Sequence, residues 1–417
     1  MTANYQTEMN EILSYFNKYN RKIAKDNAQQ AYDDFISNFR NWKNVVGYMT
    51  HVDNEIKDGE REYGNVLLVF SVAISEINSI TESVIDTLIK EIQEYEDKVK
   101  YMFDIKLALY LNLGLCWHKL GRLYDNMAIE AFKKYIYYQL TLSNHTSYSN
   151  LSSYAFRSCS KFLYQSLINE TLNLSSPITF NDLFDCPIIE LMNNEDETSK
   201  LIREAYLSGV RIACFVKNVK LPYSNNDNEL PIINHKKNAR DKKEYLNELM
   251  WSHYAGSHTG ICIKYNLPSS LTTCDGEKDY VTYFKDIEYP SSLKKYSKQS
   301  SIKINEAFFV KGKSWKYENE LRFLYYNPNN RDLHISIPIH NSIEAIYFGA
   351  KCSEKDKQTI KNILRDKKCI SKKTQLIKGK SQDIIQEKDI EFYQMEMDKK
   401  VFGAIKAVRV SQENNVN

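Results

Sequence analysis

The segment Lys311-Gly312-Lys313-Ser314-Trp315-Lys316-Tyr317-Glu318-Asn319-Glu320-Leu321-Arg322-Phe323 holds the chain's best prospect for chemistry. It reads as the start of a strand, and the two-residue period of a strand places Glu318 and Glu320 on one face. Two like charges so close raise one of the two pKa values, which makes them a candidate acid/base or cation-stabilising pair. Arg322 continues that face. Together with Lys313 it is either a phosphate ligand or the internal counter-ion that keeps the carboxylates charged. A structural Glu/Arg pair lacing an edge strand is the alternative.

Three further clusters need weighing. In Met250 to Ile263, His258 and Tyr254 precede an apolar strand, where they could position a substrate hydroxyl or pin a turn. Asn181, Asp182 and Asp185 follow a Ser-Ser-Pro turn and suit a helix cap better than a metal. The eight cysteines show no C-x-x-C pair and no His at ligand spacing, so they read as buried thiols, and neither a disulfide framework nor a metal site is expected. Phosphate-loop, dinucleotide-fingerprint, zinc-protease and nucleophile-elbow patterns do not occur.

Elements must carry these residues. From Asn10 to about Gln139 apolar residues recur at three- and four-residue steps without proline, which predicts helices, including a buried one over Val66 to Ile74 and an amphipathic one over Ile80 to Val99. Residues 140 to 153 are Ser/Asn-rich and aperiodic, as a connection between domains would be. Beyond them short β-like runs follow: Tyr154 to Phe156, Thr171 to Leu174, Val210 to Val216, Thr259 to Tyr265, Tyr280 to Phe284, Glu320 to Tyr326, Leu333 to Ile339 and Ala345 to Phe348. Helices are expected over Asp241 to His253, Ser301 to Lys311 and Glu354 to Leu364, and a long mobile loop over Tyr223 to Asp241. The fold class is therefore α+β: an N-terminal α-helical, repeat-like domain (1–145), a mixed or antiparallel β-sheet domain with helices (151–380) and a C-terminal extension (381–417).

Composition narrows the setting. With 417 residues, 42% hydrophobic and 26% charged, the chain has length for two cored domains. No run approaches the roughly 18 to 20 uncharged apolar residues of a spanning helix, and the N-terminus lacks a secretory pattern, so a cytoplasmic location and no membrane partner are expected. Residues 1 to 100 carry 11 Lys/Arg against 17 Asp/Glu, whereas residues 351 to 380 carry 11 against 3, an asymmetry that suggests different partners for the two ends. The basic stretch would suit RNA, DNA or tRNA, but a solvated helix face is the preferred reading.

Two resemblances add to this. Leu113-Gly114, Leu120-Gly121, Tyr124, Ala128, Ala131 and Phe132 fall at the spacings of a tetratricopeptide repeat, which implies paired antiparallel helices that hold a protein partner or trigger. The blocks around Tyr154 to Ser158, Leu172 to Cys186, Ile212 to Phe215, Met250 to Ile263, Lys313 to Arg322 and Ile346 to Ala350 resemble, in order, a bacterial family catalogued as a domain of unknown function. Leu183, where that family usually has Pro, and Val216, where a Ser commonly stands, depart from it. An Arg ending one strand, a Ser-Ser-Pro after a second and an E-x-E at a later one are in turn similar to the R-S-E arrangement of ADP-ribosyltransferases.

That last resemblance implies chemistry on NAD. Glu320 would stabilise the oxocarbenium cation, and Glu318 would orient or deprotonate the acceptor. Arg157 would pair with the phosphates, Ser175 or Ser176 would hold the ribose, and Trp315 or Tyr317 would stack on nicotinamide. Arg322 and His258 complete the expected set. The expectation is an NAD-dependent ADP-ribosyltransferase or NAD glycohydrolase acting as a toxin of a bacterial anti-phage defence system, with a phage trigger or protein partner on the helices and a protein or nucleic acid as acceptor. A nuclease built on the carboxylates and His258, or a non-catalytic repeat-based adaptor, remain open alternatives.

Overall fold

A computed structural model describes residues 14, 18, 28–49, 56–77, 80–143, 151–180, 182, 185–186, 196–217, 245–274, 276–291, 304–377, 380–399 and 405–410. The expected loop over Tyr223 to Asp241 and the middle of the connection at 140 to 153 lie outside these residues. Five helices lead: α1 (Ala28–Met49), α2 (Ile56–Glu76), α3 (Glu82–Lys98), α4 (Phe103–Lys119) and α5 (Asp125–Leu142). Helix α3 shows why the periodicity was readable, since Ile85, Leu88, Ile92 and Tyr95 recur on its buried face. Helices α4 and α5 run antiparallel across a short connection: Phe103 stacks on Tyr138 at one end and Trp117 on Tyr124 at the other. Between them Gly114 lies against the Phe132 ring, where a Cβ would collide with it. Among the described residues no helix is long and apolar enough to cross a membrane.

The chain then alternates. Strand β1 (Leu151–Arg157), α6 (Lys161–Asn169), β2 (Thr171–Ser175), α7 (Glu197–Gly209), β3 (Val210–Lys217), α8 (Tyr245–Tyr254), β4 (Ile261–Leu267), β5 (Val281–Asp286), α9 (Ile304–Ala307), β6 (Glu320–Tyr326), β7 (His334–Pro338), β8 (Ile343–Phe348) and α10 (Glu354–Leu364) follow in order. Every strand expected from the sequence in this stretch is present, but of the helix expected over Ser301 to Lys311 the described residues, 304–311, form only one turn. The described strands β1 to β8, joined by β11 (Glu391–Met397) and β12 (Ile405–Val410), form a ten-stranded sheet in the order β12-β11-β8-β4-β1-β3-β2-β7, with β6 on β3 and β5 on β6. Pairing is antiparallel except between β11 and β8, so the sheet is mixed and the fold α+β.

Two features differ from expectation. The C-terminal residues are not an appendage: β9 (Lys368–Ile377) and β10 (Lys380–Asp389) make a separate two-stranded ribbon, and β11 and β12 extend the main sheet. The helices also share their core with the sheet. One cluster of buried residues runs from Leu67 and Phe132 through Tyr206 to Ile212, Leu324 and Tyr326. Tyr326 Oη donates to the Lys133 carbonyl at 3.0 Å, and Arg331 reaches Glu130 at 3.0 and 3.1 Å. Helix gives way to strand between Leu142 and Leu151, yet the hydrophobic core continues across that change.

Strand β3 organises the site. One edge carries β6 over its length, from Val210↔Tyr326 to Val216↔Glu320. On the other, β1 pairs at Ser153↔Lys217 and Tyr154↔Val216, and β2 at Ser175↔Ile212. Between the ends of β1 and β2 the sheet therefore opens over Ala213 to Phe215.

Candidate active site

A cavity of about 380 Å³ fills this opening. Its walls include Arg157 from β1, Ser175 from β2, Cys214 from β3, Tyr254 from α8, and Trp315, Glu318 and Glu320 from the β6 approach. Arg157, Ser175, Glu318, Glu320 and Trp315 are thus brought together, as the sequence grouped them.

Glu318 reaches the cavity by a different backbone path from the one its spacing suggests. It ends a 3-10 turn (Lys313–Glu318), and only Glu320 begins the strand. Asn319 reverses the chain between them in the left-handed region, φ 45°, a conformation asparagine tolerates better than most residues. Its side-chain amide donates to the Lys217 carbonyl at 2.8 Å and its own carbonyl accepts from Lys217 N–H at 3.1 Å. Strand alternation does not align the carboxylates; a shared cation does.

That cation is Lys311. Its ammonium lies 2.6 Å from Glu318 Oε2, 3.1 Å from Glu320 Oε2 and 3.3 Å from Asp185 Oδ2, with all four residues buried or nearly so. Asp185 is delivered by a β-bridge to Lys311 itself. Arg322 closes the cluster from below: Nε donates to Glu320 Oε1 at 2.7 Å, Nη1 to the Phe308 carbonyl at 2.7 Å and to Cys186 Sγ at 2.8 Å, and Nη2 to Asp185. Above it, Tyr254 Oη donates to Glu318 Oε1 at 2.5 Å.

The electrostatics divide the two glutamates. Burial pushes Glu318 up, to about 7, against the pull of Lys311 and with a further push from Glu320. Glu320 is also raised by burial, but Arg322 and Lys311 outweigh it and hold the carboxyl down at about 2. One pKa of the pair is indeed raised, though burial contributes more to it than repulsion between the carboxylates. With Glu320 ionised and Lys311 and Arg322 held protonated by their neighbours, ionisation of Glu318 adds one negative charge to the cluster. Burial likewise raises the Cys214 thiol, which faces this cluster.

The block Trp251 to Gly260 supplies the upper wall. Trp251 is buried edge-on to Phe156, 5.2 Å between centroids, and so fixes α8 against β1. Gly260 packs directly on the Arg157 carbonyl, leaving no room for a side chain. Between them His258 adopts φ 72°, stacks on Trp251 and lies 3.3 Å from Ser252 Oγ. Burial and Lys351 lower its pKa. It pins the turn.

Other expected residues are placed as follows. Arg157 is half-buried; one Nη donates to its neighbour's carbonyl at 2.9 Å, and no carboxylate pairs with it among the described residues. Ser175 Oγ lies 3.1 Å from His334 Nδ1. Ser176 is fully buried in the turn behind β2 and does not line the cavity. Trp315 faces the cavity with Lys311 Nζ 5.0 Å from its ring, whereas Tyr317 packs outside it against the Tyr154 and Met250 cluster. Arg322 is a correction: with no exposed surface and its donors committed within the protein, it is the internal counter-ion and not a ligand for phosphate. Lys313 is exposed, and Lys311 takes the role weighed for it. Asp185, read as a helix cap, belongs to the ion cluster. No local pattern marked Lys311 or Asp185; the only hint was a lysine closing the apolar run Phe308-Phe309-Val310.

A family profile described as a protein of unknown function (DUF2971) matches residues 250–323, to which this part of the chain is similar. The match begins at Met250 on α8 and ends at Phe323 on β6, so it contains Tyr254, Lys311, Glu318 and Glu320. No curated protein and no solved structure matches the chain.

Proposed function

We propose that this cavity cleaves the nicotinamide–ribose bond of NAD and passes the ADP-ribose to a macromolecule or to water. The observation that carries the proposal is the convergence on one cavity of Arg157 and Ser175 from the ends of β1 and β2, Glu320 from the start of β6 and Glu318 from the turn before it. Cleavage sends the bonding pair to a nicotinamide that leaves neutral and generates positive charge on the ribose. Glu320, ionised at any physiological pH, together with ionised Glu318 offers the negative charge that favours this cation. The acceptor O–H or N–H then attacks while Glu318 takes its proton, a task suited to a carboxylate titrating near neutrality. Arg157, half-buried and without an acidic partner among the described residues, offers paired N–H donors to the diphosphate. Trp315 offers a face to the nicotinamide ring.

The nuclease alternative draws less support. Lys311 already stands among Asp185, Glu318 and Glu320, where a cation bound by these carboxylates would sit, and His258 does not line the cavity. For the adaptor alternative, Phe132 is wholly buried and offers no surface to a partner. We further propose that the helices hold a protein partner or trigger and that the enzyme arrests growth as a defence effector.

The test is incubation of the protein with NAD labelled in its adenylate half, with and without total cell protein and RNA, beside Arg157→Gln. Label moved to a macromolecule, or released as ADP-ribose, by the parent and at least tenfold less by the variant supports the proposal. NAD left intact by the parent even with cell extract present contradicts it.

A further inference from the structure

Outside the cavity, three chain segments far apart in sequence bring donor atoms together. Cys159 follows β1 by two residues, Cys352 lies in the turn after β8, and Asp356 is in the first turn of α10. Their two sulfurs and a carboxylate oxygen all lie within 4.8 Å of one another, and among the described residues no other set of three or more His, Cys, Asp or Glu does so. We propose that Cys159, Cys352 and Asp356 bind one divalent cation of the zinc class.

The geometry fits such an ion. Zinc holds sulfur at about 2.3 Å in a tetrahedron, which separates two sulfurs by roughly 3.8 Å, inside the spacing seen here. Two thiolates and one carboxylate suit a borderline-soft cation and not a hard, oxygen-seeking one. The carboxylate is already oriented from behind: Tyr164 Oη donates to Asp356 Oδ1 and Ser353 Oγ to Oδ2, both at 2.6 Å. Outer-sphere donors of this kind fix a ligand's direction and accompany metal sites generally. Ser353 Oγ is itself fixed, accepting the Asp356 N–H at 3.1 Å as the helix cap. Cys352 is buried while Cys159 and Asp356 are partly exposed, so the site has a closed wall and an open side where water completes the tetrahedron.

Binding replaces two S–H bonds by two metal–sulfur bonds and releases two protons, with no change of oxidation state. The ion would tie the exit of β1 to the β8–α10 turn, two residues from Arg157. The proposal stands apart from the one for NAD, because nothing in it depends on the cavity.

The experiment uses the full chain, reduced with a phosphine, stripped with chelator and titrated with cobalt(II) as a spectroscopic stand-in. The parent should develop a thiolate-to-cobalt charge-transfer band that saturates at a single equivalent and is bleached by zinc. Cys159→Ser and Cys352→Ser should each abolish the band. Asp356→Asn should weaken binding by about tenfold or more, and Cys274→Ser, a thiol away from the cluster, should leave it unchanged. A reduced parent without the band, or a band that survives Cys159→Ser, overturns the proposal. The first of those rests on the parent alone and holds even if a variant fails to fold. A parent whose two thiols instead disappear on oxidation, with no band when reduced, identifies a disulfide pair in place of a metal site.

Discussion

Replacing Glu320 by Gln removes a charge from a buried cluster in which Arg322 Nε lies 2.7 Å and Lys311 Nζ 3.1 Å from its oxygens. Its carboxyl is held at about 2 against an ordinary 4.5. At about 1.4 kcal/mol per pH unit this gap is worth roughly 3 kcal/mol, and leaving a buried cation short of its partner costs about the same, 3 to 5 kcal/mol. Because the folded pKa lies below the unfolded one, this stability is present above about pH 4.5 and is lost as the pH falls towards 2. Glu318 has the opposite sign. Its folded pKa of about 7 exceeds the unfolded 4.5, so its contribution is intact below 4.5 and is lost as the pH rises through 7. Glu320→Gln should therefore lose about 3 kcal/mol near pH 7, and Glu318→Gln should stay near the parent at about pH 4.5, gain on it by roughly 3 kcal/mol as the pH rises to about 7, and change little beyond. Urea unfolding followed by tryptophan fluorescence at about pH 5, 7 and 8.5 measures both. Equal losses for the two variants at pH 7, or a Glu320→Gln protein within about 1 kcal/mol of the parent, would refute the division of roles.

Other outcomes follow from the same contacts. NAD cleavage should rise with pH through about 7 as Glu318 ionises, and Glu318→Gln should flatten that limb. Tyr254→Phe removes a donor to the Glu318 carboxylate, so the limb should move up by about one pH unit or more in a pH–rate profile. Arg157→Gln should raise KM for NAD by about tenfold to a hundredfold with the melting temperature unchanged, since the side chain carries no structural ion pair among the described residues. Gly114→Ala should destabilise by about 1 to 3 kcal/mol in thermal unfolding, because the Phe132 ring occupies the space.

Much of the sheet was legible because β-branched and aromatic runs from Val210, Ile261, Leu321 and Ile343 face a core on at least one side and carry that pattern openly. Strands β9 and β10 were not, since their sequences are Lys- and Gln-rich and lack a clean apolar alternation. In the site, the pairing of Glu318 with Glu320 was visible from spacing, but a chain reversal at Asn319 and the reach of Lys311 produce it, and neither leaves a periodic mark. Arg322 carried the right type for chemistry and serves the scaffold instead, a distinction only burial reveals, while His258, weighed for the same site, does not line the cavity. Cys159 and Cys352 sit at no ligand spacing because the approach of β1 to the β8–α10 turn, and not local sequence, brings them together.

The most direct test of the central claim is nicotinamide release from NAD at about pH 8 by the parent and by a Glu318→Gln protein shown to be folded. The account predicts release by the parent, with cell extract supplied as trigger and acceptor, and at least a hundredfold less by the variant. Release at the parent's rate by folded Glu318→Gln would contradict it, because burial poises Glu318 to take a proton near neutrality.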